Sequence, residues 1–355
     1  MLLLLFNKQF PFNKACFRFL MEKVSTLKYS RYNVHSDKMA DKPFLSYDGK
    51  LSQSRDEFVD GYPNGTMKIL FERVSVRDFL DKKIPEDILR LILAAGTHSA
   101  SAGNIQPYSI IKIEEDEKRK RLAELCGQAF IARAPVLLMF CIDFHRIGRW
   151  ANLEVAPFTA ASSFRHFWVS FQDTIICAQN VCTAADSVGL GSVYIGSVLD
   201  CFSQIRKMLK LPDRVFPVVL VCIGYPKTKP LPQKNLGVDV IVHSKEYREL
   251  DDKELIETFN KKYERIKVKI NEERLKTVKK VCKKVHGDEF AKKCCERIEK
   301  QGYINAAQYY FGLHYSADLM PQGNDKFVKF MEKFGFNWFQ KFLPEVRHSK
   351  NKANR

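Results

Sequence analysis

The pattern of apolar and polar residues changes twice along the chain, at Met67 and after Tyr247. Residues 22–66 are polar and rich in turn-forming residues, which predicts a linker or arm. From Met67, strand-like apolar runs alternate with helical patterns, and after Tyr247 the sequence is lysine-rich with a helical period. The pattern therefore predicts three parts: a leader and linker (1–66), a core domain (67–247) and a basic helical extension (248–355).

Helices and strands alternate within the core domain. Pro85, Glu86 and Asp87 precede an apolar-periodic run, which predicts a helix of about 10 residues. A second, long helix over 165–190 is apolar on nearly every side, so it is buried at the centre of the domain or in a subunit interface. This alternation is typical of a layered α/β or α+β sandwich. The remaining predicted elements are strands at 108–113, 135–144, 192–196 and 216–226, and helices at 115–126 and 200–210.

The positive charge lies at the two ends of the chain. The formal net charge is +17, of which residues 1–38 carry an excess of 5, residues 39–250 an excess of 3 and residues 251–355 an excess of 9. A nearly neutral centre does not require a polyanionic ligand. We interpret the C-terminal charge as a solvated helical surface and predict no nucleic-acid partner.

The cysteines and the apolar runs argue against a disulfide-bonded, a zinc-binding or a membrane-spanning protein. Ten cysteines show no C-x-x-C pair and no zinc-like spacing, so we expect free thiols in a reducing compartment and no metal. No apolar run is long enough to span a bilayer, so we expect no transmembrane segment and a cytoplasmic protein. Residues 1–21 lack acids, and two interpretations stay open: an organelle presequence, or a leader ahead of a start at Met39 or Met67.

An aromatic segment near the C-terminus has to be covered. Residues 327–342 carry six Phe and one Trp, too much apolar surface to leave in water. We predict that this segment docks on the core or on a partner subunit rather than on a membrane.

Two polar motifs could hold a ligand. Arg73 and Arg77 lie four residues apart with Ser75 between them, so that at the start of a helix both guanidinium groups would project to one side and could hold a phosphate. About 25 residues later, the loop SASAGNIQPY (99–108) combines small residues with amide and hydroxyl groups. The alternatives are two surface arginines and an ordinary helix-terminating loop.

Four motifs in order resemble the FMN-dependent nitroreductase family. They are R-x-S-x-R-x-F (73–79), S-x-x-N-x-Q-P-Y (101–108), GLGSVYIG (189–196) and LPDRVFPVVLVCIGYP (211–226). Together with GQAFIARAPVLLMFCIDF (127–144), the form YIG is most similar to the NADPH-using, oxygen-insensitive subgroup. The resemblance implies an α+β fold: a three-layer α/β/α sandwich with a central mixed sheet around a buried helix.

The resemblance also implies a homodimer with FMN bound between the subunits, and it names the residues that bind it. Arg73, Val74, Ser75 and Arg77 would contact the phosphate and the ring edge. Ser101 and Asn104 would reach the flavin of the other subunit. Gln128 would meet the polar edge of the ring, and Tyr194, Ile195 and Gly196 would line its other side, with a backbone N–H near N5.

One position departs from the family pattern. The family has a Lys-x-Arg pair after the Gly-Tyr-Pro strand, whereas Asn235 occupies the arginine position here. Lys234 is the expected substitute, with Lys229 as an alternative. Loss of a charge-assisted contact costs about 1.5 to 3 kcal/mol.

The implied activity is hydride transfer from NADPH or NADH through flavin N5 to a nitroaromatic or quinone-type small molecule, in a ping-pong cycle that needs no catalytic side chain. An NAD(P)H:flavin reductase, or another FMN-dependent reductase of the same fold, is the enzymatic alternative. A flavin- or polyanion-binding protein acting through the lysine-rich tail is the non-enzymatic one. Residues 148–164 are either a cover over the substrate or an ordinary connection.

Overall fold

Four strands form one antiparallel sheet in the spatial order β1-β2-β4-β3. The computed structural model describes residues 62, 64–228 and 230–340, to which every structural statement below refers. The strands are β1 (Tyr108–Lys112), β2 (Val136–Asp143), β3 (Gly191–Ile195) and β4 (Val215–Gly224).

Helices precede, connect and follow these strands. The α+β class is confirmed, and the strands and helices predicted for the core domain are all present. The helices are α1 (Gly65–Glu72), α2 (Glu86–Thr97), α3 (Asp116–Leu125), α4 (Phe144–Leu153), α5 (Phe164–Ser187), α6 (Phe202–Met208), α7 (Val238–Ile241), α8 (Asp252–Lys262), α9 (Glu272–His286), α10 (Asp288–Gln301), α11 (Ala306–Tyr309) and α12 (Asn324–Lys333), and a π-helical turn spans Tyr310–His314.

The expectation of a mixed sheet is wrong for the described strands. β4 inserts between β2 and β3, and each pairing of neighbouring strands is antiparallel. Parallel pairing among the described residues is limited to an isolated bridge between Ser75 and Ser192. The apolar runs predicted the positions of the strands correctly, whereas the mixed sheet was implied only by the family resemblance.

Side chains alternate across the sheet and build two core layers, as the sandwich fold predicts. Leu138, Phe140 and Ile142 of β2 pack with α2 and α5, whereas Leu137 and Met139 pack with α3 and α6. Because both faces are covered, β2 is a continuous apolar run without the polar alternation of a half-exposed strand.

The long helix α5 lies at the centre of one layer, as its all-round apolar sequence indicated. Ser163 caps its start by accepting a hydrogen bond from the His166 N–H at 3.3 Å. Gly96 of α2 allows close approach, since a Cβ there would lie 2.3 Å from Val181 Cγ2 of α5. This glycine therefore allows the two helices to pack closely together.

A buried carboxylate on α5 holds the polar loop that follows α2. The backbone N–H of Ala102 donates to Asp173 Oδ1 at 3.1 Å. Asp173 is buried, and its Oδ2 has no hydrogen-bond partner among the described residues. Burial raises the pKa of this carboxyl, and the Ala102 hydrogen bond offsets only part of that rise.

The C-terminal aromatic segment packs on the core of its own chain, which confirms one of the two predicted docking sites. Phe336 is fully buried, with its ring centroid 5.6 Å from that of Phe167 and 6.1 Å from that of Phe144. Trp338 lies 4.6 Å from the Phe167 ring. The segment therefore covers one end of α5, and residues 341 and 342 lie outside the described part.

Six of the described cysteines are buried and none forms a disulfide, which confirms the free-thiol prediction for them. Residues 1–21 and Cys16 lie outside the described residues. Within the described part, no helix is both long enough and apolar enough to cross a membrane.

Truncation of Phe336 should destabilise the fold strongly. Phe336→Ala removes a fully buried ring and leaves a cavity, so we expect the free energy of unfolding to fall by about 3 to 5 kcal/mol. Phe339→Ala is the matched control, because 64% of that side chain is exposed. Urea denaturation followed by circular dichroism measures both. Equal effects of the two substitutions would contradict the packing described here.

Asp173→Asn should change how stability depends on pH. Because the folded-state pKa of Asp173 is raised, the wild type loses stability as the pH rises from the unfolded value near 3.8 through the folded value. Asparagine keeps an acceptor for Ala102 and does not ionise. Thermal unfolding at pH 4 and pH 8 measures this: the stability of the variant relative to the wild type should be higher at pH 8 than at pH 4. A difference in melting temperature that is the same at both pH values would contradict the raised pKa.

Candidate cofactor site

The arginine motif forms an extended segment along the edge of the sheet. Residues 73–79 follow α1 instead of starting a helix, which corrects the expected geometry. The Val76 N–H donates to the Ser192 carbonyl at 3.0 Å, and Phe79 bridges to Pro226. The segment fits here because Gly191 has no side chain: a Cβ there would lie 2.5 Å from Val76 Cγ2.

An extended backbone keeps Arg73, Ser75 and Arg77 on a common side, because alternate side chains point the same way. Val76, which has the opposite parity, is buried. The grouping that the sequence predicted from helical spacing therefore does not depend on a helix, and it stays a prediction.

Arg73 is committed to an internal ion pair. Its Nε lies 3.4 Å from Asp186 Oδ2 of α5, and its Nη2 donates to Ser192 Oγ at 3.3 Å. The two charged side chains are only 20% and 13% exposed. Arg73 thus ties α5 to β3, and breaking a pair this buried is strongly destabilising. Sequence reasoning missed Asp186, although an acid near the end of an apolar helix is a usable signal.

Arg77 has the opposite character. Its side chain is exposed, and within the described residues it makes no ion pair. It is therefore the cation of this segment that is available to an anionic ligand.

The other end of β3 presents an open backbone. Gly196 is exposed, and a Cβ built there would meet no atom within 4 Å. Next to it, Gln128 Nε2 donates to Ser197 Oγ at 3.4 Å, and Ser197 donates to the Cys126 carbonyl at 3.4 Å. Two predicted segments, at 128 and 196, are thus brought together, and Ser197 joins them although the sequence did not single it out.

Tyr194 and Ile195 point to opposite layers. The Tyr194 hydroxyl donates to Gln179 Oε1 of α5 at 3.3 Å, and burial raises the pKa of this phenol. Ile195 is buried in the layer of α3 and α6, so its backbone is the part of it that remains for a ligand.

The loop after α2 has a constrained shape. Gly103, Asn104 and Gln106 have positive φ values of 59°, 52° and 51°. Ser101 Oγ accepts from the Gln106 N–H at 3.3 Å, while Asn104 stays exposed. Left-handed backbone at non-glycine residues is held by its surroundings. Here Ala102 donates to Asp173, and the Gln106 side chain donates to the Thr97 carbonyl.

The basic residue predicted to bind the phosphate after β4 forms an ion pair within the chain. Lys234 Nζ lies 2.6 Å from Glu264 Oε1, so its charge is compensated locally. Asn235 is exposed, and Lys229 lies outside the described residues. Among the described residues, no cluster of three His, Cys, Asp or Glu side chains could hold a metal.

These features fit an elongated ligand with an anionic end and a planar polar end. Ser75, two residues before Arg77, bridges to Ser192 near the start of β3, and the Gln128–Ser197 pair lies at the other end beside Gly196. At about 3.3 Å per residue, Ser192 and Gly196 are roughly 13 Å apart. A phosphate-bearing flavin has this shape, and its ring could approach the backbone at Gly196 without meeting a side chain.

Comparison with known proteins identifies similar proteins of one family. A profile of the nitroreductase family matches residues 70–225. The oxygen-insensitive NADPH nitroreductase of Salmonella typhimurium is 32% identical over 189 residues, which make up 53% of this chain and 77% of that protein.

Two solved structures extend the similarity. An NADPH:FMN oxidoreductase from Vibrio harveyi, in complex with NAD⁺, has a TM-score of 0.52 and 31% identity over 57% of this chain and 87% of its own. NfrA2 of B. megaterium has a TM-score of 0.59 and 25% identity over 78% of this chain and 100% of its own. On these grounds the chain belongs to the nitroreductase family.

Proposed function

We propose that this protein is an FMN-dependent oxidoreductase that uses NADPH or NADH to reduce nitroaromatic or quinone-type acceptors. The observation that carries the proposal is the open backbone at Gly196 beside the Gln128–Ser197 pair, together with exposed Arg77 in the segment that bridges to Ser192 near the start of β3. The similar proteins named above are an NADPH nitroreductase and an NADPH:FMN oxidoreductase, which favours the phosphorylated nicotinamide as donor.

Different parts of the site would hold different parts of FMN. Arg77 would pair with the phosphate, since it is the uncompensated cation of its segment. Arg73 would act mainly by fixing the segment through Asp186. Ser75 and Val74 would border the ribityl chain, and Gln128 would donate to a carbonyl at the ring edge.

FMN held at this site would supply the redox chemistry, a hydride transfer from nicotinamide to acceptor in a ping-pong cycle. In this proposal the residues of the chain bind FMN and orient its ring. Gln128 and backbone N–H groups near Gly196 would provide hydrogen-bond donors to the edge of the ring, where negative charge would develop on reduction. The proposal assigns no catalytic acid or base to a side chain.

The proposal includes a homodimer. Phe164, Trp168 and Ile176 of α5 are each at least 40% exposed in the single chain, an unusual situation for a helix at the centre of a domain. A second copy covering this face would also give Ser101 and Asn104 a flavin to contact across the interface. Lys234 could join the phosphate site only by leaving Glu264.

Free flavin is the second candidate acceptor. A relative from Vibrio harveyi, 32% identical over 189 residues, is an NADPH-flavin oxidoreductase. The lysine-rich extension offers weaker support for polyanion binding, because Lys283, Lys284 and Lys293 pair with Asp288, Asp318 and Glu289.

The purified full-length protein should be yellow and should carry about one FMN per subunit. We expect NADPH to bleach the flavin bands anaerobically, and nitrofurazone, menadione or added FMN to restore them. Chromatography of the heat-released flavin and steady-state assays measure content and acceptor preference. A colourless protein that takes up no FMN but is retained by heparin would replace this proposal with the polyanion one.

Arg77→Ala should weaken FMN binding by about 2 to 4 kcal/mol, roughly 30-fold to 1000-fold, since it removes a charge-assisted contact and leaves a phosphate oxygen unpaired. Arg90→Ala is the matched control, an exposed arginine on α2 outside the site. Asn235→Arg should tighten binding by restoring the family's cation. Fluorescence titration of apoprotein gives the dissociation constants; a change below threefold for Arg77→Ala would exclude Arg77 as the phosphate ligand.

A further inference from the structure

A large cavity lies in the C-terminal helical extension. It has a volume of about 1070 Å³ and is lined by α8, α9, α10, α11 and the π-helical turn. Every predicted cofactor residue lies outside its lining. Ligand pockets typically measure about 300 to 1000 Å³, so this cavity is large enough for a sizeable small molecule.

Its walls are mainly apolar and aromatic. Phe259, Phe290 and Phe311, from three different elements, line the cavity and are 41%, 47% and 55% exposed. Beneath them, Val278 and Ile298 form a small closed core that holds α9 and α10 together. The exposed rings therefore do not form the core of the extension, and burying them against a ligand would be favourable.

Two thiols contribute to the same wall. Cys282 and Cys294 line the cavity from α9 and α10. Burial, with a further contribution from Cys282, raises the pKa of Cys294 to about 11. At neutral pH the Cys294 thiol is protonated, so it presents a polarisable, weakly polar surface to the cavity.

The charges around the cavity do not balance. Glu264 is neutralised by Lys234 at 2.6 Å, and Lys293 by Glu289 at 2.7 Å. Lys267 and Arg297 also line the cavity, and neither forms an ion pair with another described residue. Lys267 instead lies 5.2 Å from the centre of the Tyr303 ring. The cavity thus combines an apolar interior with two uncompensated cations.

We propose that this cavity is a second binding site, separate from the flavin site, for a long-chain carboxylate. The chain would lie against the aromatic rings and the thiols, and the carboxylate would pair with Lys267 and Arg297. A cationic or zwitterionic amphiphile would leave these two charges unmatched. A second copy of the chain is a poorer occupant, because the cavity lies between helices of one chain.

Titration of the full-length, FMN-loaded protein with cis-parinaric acid, a fluorescent long-chain carboxylate, tests the site. We expect saturable binding of about one probe per subunit. The combined substitution Lys267→Gln and Arg297→Gln should weaken binding roughly tenfold or more, by loss of charge-assisted contacts. Lys300→Gln is the matched control, an exposed lysine of α10 outside the cavity lining, and should leave affinity unchanged. The methyl ester of the probe should bind weakly to all variants.

Ala307→Trp provides an independent variant that fills the cavity from an exposed position and removes no contact. It should abolish parinarate binding while FMN content and NADPH oxidation stay at wild-type levels. Equal affinity in wild type, charge variant and Ala307→Trp would overturn the proposal. So would displacement of the probe by excess FMN, which would place it in the flavin site, or co-sedimentation with anionic phospholipid vesicles without parinarate binding, which would indicate a membrane surface instead.

Discussion

Three polar side chains on the buried helix α5 hold the three segments from which the candidate site is built. Asp173 accepts from the loop after α2, Gln179 accepts from Tyr194 of β3, and Asp186 pairs with Arg73 of the edge segment. At about 1.5 Å per residue, these anchors extend over roughly 20 Å of helix. Gln179 and Asp186 are seven residues apart and share a face, whereas Asp173 faces the loop from another side. The site therefore depends on α5 being fixed in rotation and depth.

The packing around α5 supplies that constraint. The close approach of Gly96 to Val181 sets the distance to α2, and the Phe167 ring is surrounded by Phe216, Phe336 and Trp338. Interiors this dense do not deform continuously, so a rotation of α5 would break several contacts together. The ligand-facing groups can consequently be few and exposed, because their positions are fixed from behind.

The positions of most strands and helices could be predicted from the sequence. Strand and helix positions followed from apolar runs, capping residues and Pro85, which are local signals. The antiparallel order of the sheet and the second role of Arg73 were not accessible, because both arise from contacts between residues far apart in the chain. A motif such as R-x-S-x-R identifies two cations; only the fold shows that Asp186 neutralises one and leaves Arg77 exposed. The location of Lys234 against Glu264 has the same origin.

Because residues 334–338 pack on the core, the folding unit extends beyond the core domain to the C-terminal aromatic segment. Residues 248–323 leave the core, form their own small cluster around Val278, and are followed by rings that complete the layer around Phe216. This region is thus a long loop closed at both ends, whose closure costs entropy that grows only slowly with its length. A fragment restricted to the family match at 70–225 would lose the contacts that Phe336 makes with Phe167 and Phe216. The boundary drawn by sequence similarity and the boundary of autonomous folding are therefore different, and the second includes the aromatic segment.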